Sequence, residues 1–306
     1  MARSSRRRRW PNLPKAAAEM VDRFGWSPVA LLNTIDRLTP GRGDRARKLG
    51  EGLRFGPHAR HHLDVWAPSH PDSAKLPIVV FFYGGGWHSG ERTDYGFAGA
   101  AFAAQGFLTI VPDYRLVPEV RYPDFLEDAA LALRWVWTNA IHYGGDPARI
   151  SVAGHSAGAY IAAMLALDPR WLAAAQLPSD TVKAGVLLSG PFDFAPFREW
   201  RGRATFGSHH DPAETQPINH VRADAPPLLL LHGRSDRLVY AKNSRSLDAA
   251  LTAVGAPHEI KIYPGCDHAG TVVALSRPFR HRHPVLADAA AFLRSVLGLP
   301  TSSSKE

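Results

Sequence analysis

From about residue 76 the chain alternates between short, largely apolar runs and longer segments with helical spacing. The runs at 78–82, 108–111, 150–153, 182–188, 228–231 and 259–263 have the length and composition of strands buried on both faces. Helical spacing fills the intervals at 96–105, 123–143, 157–167, 241–254 and 285–297; in the second of these, Phe125, Ala129, Leu133 and Val136 form one stripe. Strand–helix alternation of this kind predicts an α/β fold with a mostly parallel central sheet covered by helices on both faces. Ahead of it, the alternating stretches 52–55 and 61–66 flank Gly56-Pro57 and predict an antiparallel hairpin at the sheet edge. Residues 28–38 predict a short helix, with Ser27 as N-cap and Pro28 at the first helical position.

One segment breaks the alternation. Residues 190–226 hold Phe192, Phe194, Phe197, Trp200 and Phe206 among charges and prolines, followed by His209 and His210. This is too long for an ordinary connection and predicts a small cap over the strand ends. The expected organisation is a basic leader with a short helix at 1–50, a catalytic domain at 51–298 that includes the cap, and a tail at 299–306.

Composition narrows the class. Apolar residues are 45% and charged residues 21%, a globular balance, and no apolar run approaches the roughly 18 residues of a membrane span. The single cysteine, Cys266, excludes an internal disulfide and a Cys-rich zinc site, and a buried, inert thiol is expected there. The net charge of +8 is confined to the leader: residues 1–50 carry 12 Lys/Arg against 4 Asp/Glu, and residues 51–306 carry 24 of each. The domain therefore has no basic face, and nucleic-acid binding by it is excluded. The arginines at 6–9 would suit the start of a signal peptide, but Pro11, Asn12, Pro14, Lys15, Glu19 and Asp22 interrupt any apolar stretch after them. A basic tail on a cytoplasmic protein is expected; electrostatic contact with an anionic membrane surface is the second role open to it.

The sharpest chemical signal is Gly154-His155-Ser156-Ala157-Gly158, set where a predicted strand meets a predicted helix. A serine on such a turn needs small neighbours two residues either side, and its hydroxyl projects at a helix N-terminus that favours negative charge. Serine needs a base. Of the 15 histidines, His268 follows the last strand and so falls at the same strand-end face. His155, His209, His210, His281 and His283 read as surface or cap residues, and His232 as structural. The base needs an acid. Asp236 follows the strand at 228–231, which gives the order Ser156, Asp236, His268; Asp193 is the rival, and Asp267 should point away from its neighbour. Tyr83-Gly84-Gly85-Gly86-Trp87 follows the strand at 78–82 and lacks the Lys-Ser/Thr of a phosphate loop. Its consecutive glycines expose backbone N–H groups, so Gly85 and Gly86, with Ala157, are the candidate oxyanion donors. Trp87 with one or two of the cap rings, Phe192 and Phe194, is expected to line an apolar pocket.

These pieces carry a resemblance. Residues 50–298 resemble the α/β-hydrolases of the hormone-sensitive-lipase-like carboxylesterase group, on Tyr83 to Trp87, Asp113-Tyr114-Arg115-Leu116 with Pro118-Glu119, Gly144-Gly145-Asp146-Pro147, Gly154 to Gly158, and the Asp236 and His268 loops. The resemblance implies hydrolysis of a small-molecule ester through a Ser-His-Asp triad and an acyl-enzyme, with no cofactor and no metal. It also implies that Asp113 and Arg115 form structural pairs. Tyr83 stands where the group usually has a histidine. Similar loops occur in arylformamidases and prenylcysteine methylesterase-like enzymes, so an aryl-formamide substrate is the alternative. A non-catalytic binding protein on this fold would be expected to have lost a triad member, and none is lost.

Overall fold

The computed structural model describes residues 28–39, 45–71 and 75–300. Its core is one eight-stranded sheet: β1 (Ala46–Arg54), β2 (His62–Pro68), β3 (Leu76–Phe82), β4 (Leu108–Pro112), β5 (Gly145–His155), β6 (Val182–Leu188), β7 (Leu228–Gly233) and β8 (His258–Tyr263), in the spatial order β1-β2-β4-β3-β5-β6-β7-β8. β1 and β2 pair antiparallel, β2 and β4 likewise, and every pairing from β4 through β3 to β8 is parallel. The parallel strands therefore end on one edge, where an open α/β sheet presents its ligand crevice.

The apolar runs become strands because they are covered on both sides. All seven residues of β3 are buried, as are all six of β7. Among the described residues the α-helices are α1 (Pro28–Leu38), α2 (Gly96–Ala104), α3 (Asp124–Asn139), α4 (Ala157–Leu167), α5 (Pro169–Ala174), α6 (Trp200–Phe206), α7 (Lys242–Val254), α8 (Gly270–Val273) and α9 (Val285–Val296). α3 turns Phe125, Ala129, Leu133 and Val136 inward and leaves Glu127, Arg134 and Trp137 exposed. α4 has no outer face; all eleven of its residues are buried. Asp168 caps α5 by accepting from the Arg170 N–H, with Pro169 at the first helical position.

Two features depart from the sequence reading. β1 begins at Ala46, inside the segment assigned to the leader. Its sequence, ARKLGEGLR, is polar because it is an edge strand with one neighbour, and Lys48 reaches Asp64 on β2 at 2.9 Å. α1 is also docked on the domain. Leu31 and Leu32 are buried, Asn33 bonds the Thr93 carbonyl and the Phe97 N–H, and Asp36 accepts the Arg277 N–H. Ser27 and the arginines at 6–9 lie outside the described residues. Among the described residues, no helix is long and apolar enough to cross a membrane.

The segment 190–226 holds α6 and a 3-10 turn at Pro217–His220. It is fastened by its own amides: Asn243 on α7 accepts the Phe192 and Asp193 N–H groups, and Gln216 accepts those of Phe194 and Ala195. Tyr160 of α4 donates its hydroxyl to the Thr215 carbonyl at 2.8 Å. Phe206, fully buried, packs edge-on against Trp87 with centroids 4.8 Å apart.

Candidate active site

Ser156 sits between β5 and α4 with φ 55 and ψ −119, a backbone conformation that non-glycine residues rarely adopt. The turn is held by close contacts. A Cβ on Gly154 would come within 2.3 Å of the Gly158 carbonyl oxygen, and a Cβ on Gly158 within 2.0 Å of the Phe82 carbonyl oxygen. Both opposing atoms are backbone and cannot step aside. Gly158→Ala is therefore expected to cost about 3 kcal/mol or more, read as a lower urea midpoint. A midpoint matching the wild type would show that the turn can open.

Three of the singled-out side chains come together at this edge. The Ser156 hydroxyl donates to His268 Nε2 at 2.9 Å, and His268 Nδ1 donates to Asp236 Oδ2 at 2.7 Å. Asp236 follows β7 and His268 follows β8, so the parallel register of β5, β7 and β8 aligns residues 112 and 32 positions apart. Asp236 Oδ1 accepts the N–H groups of Leu238 and Val239, both at 2.9 Å. Burial works to raise this carboxyl, but hydrogen bonds from His232, His268 and the Val239 N–H outweigh it and hold it well below the usual carboxylate range. Asp193 is half-buried, its backbone tied to Asn243, and it makes no recorded contact with His268. Asp267 accepts the Gly270 N–H on Oδ1 at 2.8 Å.

Two histidines assigned to the surface or to plain structure belong to this site. His232 is fully buried; Ser244 bonds its Nδ1 at 2.8 Å, and its Nε2 faces both the Val239 carbonyl at 2.8 Å and Asp236 Oδ2 at 3.2 Å. Since both of those are acceptors, Nε2 carries the proton and helps to fix the carboxylate. His155, expected on the surface, is 5% exposed and donates from Nε2 to the His268 carbonyl at 2.9 Å. Burial first, and then the neighbouring His268, push its pKa down to about 3, so it stays neutral beside the His268 ring. An alternating-pattern reading misses it because it ends a strand as an isolated polar residue.

His155 has a consequence for stability. Its folded pKa lies below the ~6.5 of an exposed histidine, so the unfolded chain takes up a proton first and stability falls as pH drops from about 6.5 towards 3. Removing the imidazole removes that slope. His155→Asn should lose unfolding free energy less steeply than the wild type between pH 6 and 4, by about 1.4 kcal/mol per pH unit. Urea titrations across that range check it; parallel slopes would contradict it.

The glycine loop, Tyr83 to Trp87, lies beside this turn, the elbow formed by Gly154 to Gly158. A Cβ on Gly84 would fall 2.9 Å from His155 Nδ1 and 3.2 Å from the Ser156 Cβ. Gly85 has φ 139, and a Cβ there would strike the Ser89 carbonyl oxygen at 1.9 Å, so only glycine fits. Among the described residues, no acceptor is recorded for the Gly85 or Gly86 N–H groups, and Ala157 opens α4, where an N–H has no intrahelical partner. Tyr83 points into the core. It stacks on Tyr114 at 4.6 Å, its hydroxyl accepts from Arg60 at 2.9 Å, and the Tyr114 hydroxyl donates to the Tyr83 carbonyl. The residue that departs from the usual histidine thus supports the loop from behind. Asp113 pairs with Arg92 at 2.6 Å and Arg115 with Asp128 at 2.8 Å. Burial pushes the Cys266 thiol up to about 12, which keeps it protonated.

The pocket expectation needs correction at one residue. Phe192 has no exposed surface and its ring abuts Gly190, so it is core and cannot line an open pocket. Trp87 is 6% exposed and belongs to an aromatic cluster with Phe125, Tyr160, Phe194 and Phe206. Only Phe194 of the three is half-buried. For metals, His209, His210 and Glu214 bring potential ligand atoms within 4.8 Å of one another, but His209 and Glu214 pair directly at 3.0 Å and none of the three bonds Ser156, His268 or Asp236.

The BD-FAE family model matches residues 63–251. Among curated proteins, the chain is 33% identical to Esterase LipC of Mycobacterium tuberculosis, over 79% of this chain and 64% of that protein. It is 30% identical to the isoprenylcysteine α-carbonyl methylesterase ICME of Arabidopsis thaliana, over 77% and 59%. The chain thus spans about three fifths of the length of these two relatives. Among solved structures, the propionate-bound thermophilic esterase Est2 of Thermogutta terrifontis superposes with a TM-score of 0.70 at 25% identity, covering 85% of this chain and 97% of that one. The matched region takes in the glycine loop, the elbow and the Asp236 loop, and the chain belongs to the BD-FAE family, among the hormone-sensitive-lipase-like carboxylesterases of the α/β-hydrolase superfamily.

Proposed function

We propose that this protein hydrolyses carboxylic esters of small or aromatic acyl groups, with Ser156 as nucleophile, His268 as general base and acid, and Asp236 as the group that orients and stabilises the imidazolium. One observation carries the reading: an unbroken hydrogen-bonded relay from the Ser156 hydroxyl through His268 to Asp236, with the serine on a positive-φ turn at the head of α4. His268 Nε2 takes the Ser156 proton as Oγ attacks the ester carbonyl. The N–H groups of Gly85, Gly86 and Ala157 hold the oxyanion. Collapse breaks the ester C–O bond, His268 returns the proton to the leaving alkoxide, and an acyl-serine remains. Water, deprotonated by His268, then attacks the acyl carbon and releases the acid and free Ser156. Trp87 and Phe194 supply apolar surface beside the acyl group.

The test is a panel of p-nitrophenyl esters from acetate to octanoate and benzoate, run beside N-formylkynurenine. Turnover of short or aromatic esters well above that of the formamide is expected. Preference for the formamide, or inertness on every ester, would overturn the reading.

A further inference from the structure

We propose that Arg201 forms a cationic subsite beside the oxyanion loop and selects esters that carry a carboxylate a few carbons from the scissile carbonyl. The proposal rests on the esterase reading above and names its substrate class. α6 lays the Arg201 side chain along the loop: Cδ lies 3.4 Å, Nη1 3.5 Å and Nε 3.9 Å from the position a Cβ on Gly86 would occupy. The absence of a side chain at Gly86 leaves this space to the guanidinium, next to one of the proposed oxyanion donors.

Its charge is not neutralised there. Arg60, Arg92, Arg115, Arg149, Arg170 and Arg222 each reach an aspartate within 4.0 Å. Arg201 is exposed, and among the described residues no acidic partner is recorded for it; its guanidinium rests against the Trp200 ring at 5.4 Å. Trp200 is held in turn by the edge of His88, at 4.9 Å. Residues 51–306 carry as many acidic as basic side chains, so the domain has no net charge of its own, and Arg198 and Arg203 of the same segment are exposed beside Arg201. A guanidinium presents a fork of N–H donors that matches a carboxylate, and a half-ester of a short dicarboxylic acid carries one a few carbons from its scissile carbonyl.

The experiment compares kcat/KM for mono-p-nitrophenyl glutarate and p-nitrophenyl valerate, equal in carbon number and different in charge, after subtraction of the uncatalysed rate. Wild type, Arg201→Lys, Arg201→Gln and Arg201→Glu are measured. The anionic-to-neutral ratio should fall about fivefold in Arg201→Gln and further in Arg201→Glu, mainly through KM. Arg201→Lys should keep it within about twofold, which separates loss of charge from a folding defect. In the wild type the ratio should also fall as salt rises to 1 M, where the Debye length is ~3 Å. A wild type active on valerate whose ratio does not change in Arg201→Gln and Arg201→Glu would overturn the subsite alone. A wild type inert on both esters would overturn the esterase reading and the subsite with it.

Discussion

Ser156→Ala is expected to lower kcat on p-nitrophenyl esters by roughly 10³-fold or more, the usual range for loss of a triad nucleophile. The substitution removes only Oγ. The backbone N–H of residue 156 still donates to the Leu188 carbonyl, the residue 156 carbonyl still accepts from Tyr160, and the glycine contacts that hold the turn do not involve the hydroxyl. The melting temperature should therefore remain within a few degrees of the wild type, so lost turnover would report lost chemistry. His268 would lose the 2.9 Å bond to Oγ and keep the 2.7 Å bond to Asp236. Retention of more than a tenth of the wild-type rate would mean that another group attacks the ester.

The second large effect falls on the acid. Asp236→Asn should lower turnover by about 10²- to 10⁴-fold, and Asp193→Asn by less than about threefold. The upper figure is the one known for the equivalent change in a chymotrypsin-type triad. An amide can accept on one side only. At Asp236 both oxygens accept: Oδ1 from two backbone N–H groups, and Oδ2 from His268 and His232. With the amide oxygen on the backbone pair, the NH₂ group faces His268 Nδ1 and forces the tautomer that carries its proton on Nε2, which cannot accept from Ser156. Asp193 has no such contact. If Asp193→Asn proves the more damaging, the assignment of the acid is wrong.

Asp236→Asn also has a pH signature. The carboxyl titrates lower in the folded protein than in the unfolded chain, so it adds stability above the unfolded pKa of about 4 and loses that contribution as pH falls towards the folded value. The stability gap between wild type and variant should thus be full at pH 7 and close below about pH 4. His155 works in a different window, because its contribution fades from about pH 6.5 downward.

Much of this protein is legible one residue at a time. Strands buried on both faces must be apolar along their whole length, so β3 and β7 announce themselves in the sequence. Helices that lie on a sheet must repeat near 3.6 residues, so the stripe on α3 does the same. Gly154 and Gly158 are readable because their reason is local: they are two residues either side of Ser156, at a strand-to-helix switch. Asp236 and His268 could be named from their positions just after strands.

What sequence leaves open depends on groups far apart along the chain. β1 is polar because it is an edge strand, and a polar strand has no periodic signal to separate it from a leader. Phe192 and Phe194 look alike in sequence; Gly190 and Asn243 decide that the first is core and the second half-buried. His155 and His232 each rank as one histidine among 15, and only the stacking of β5, β7 and β8 turns them towards His268 and Asp236. Arg201 is one of many arginines until α6 lays it against Gly86. The physical reason is common to all four. Solvation and backbone sterics act between near neighbours and imprint the sequence directly, whereas the direction of a side chain at the strand ends is set by contacts that exist only once the sheet has closed.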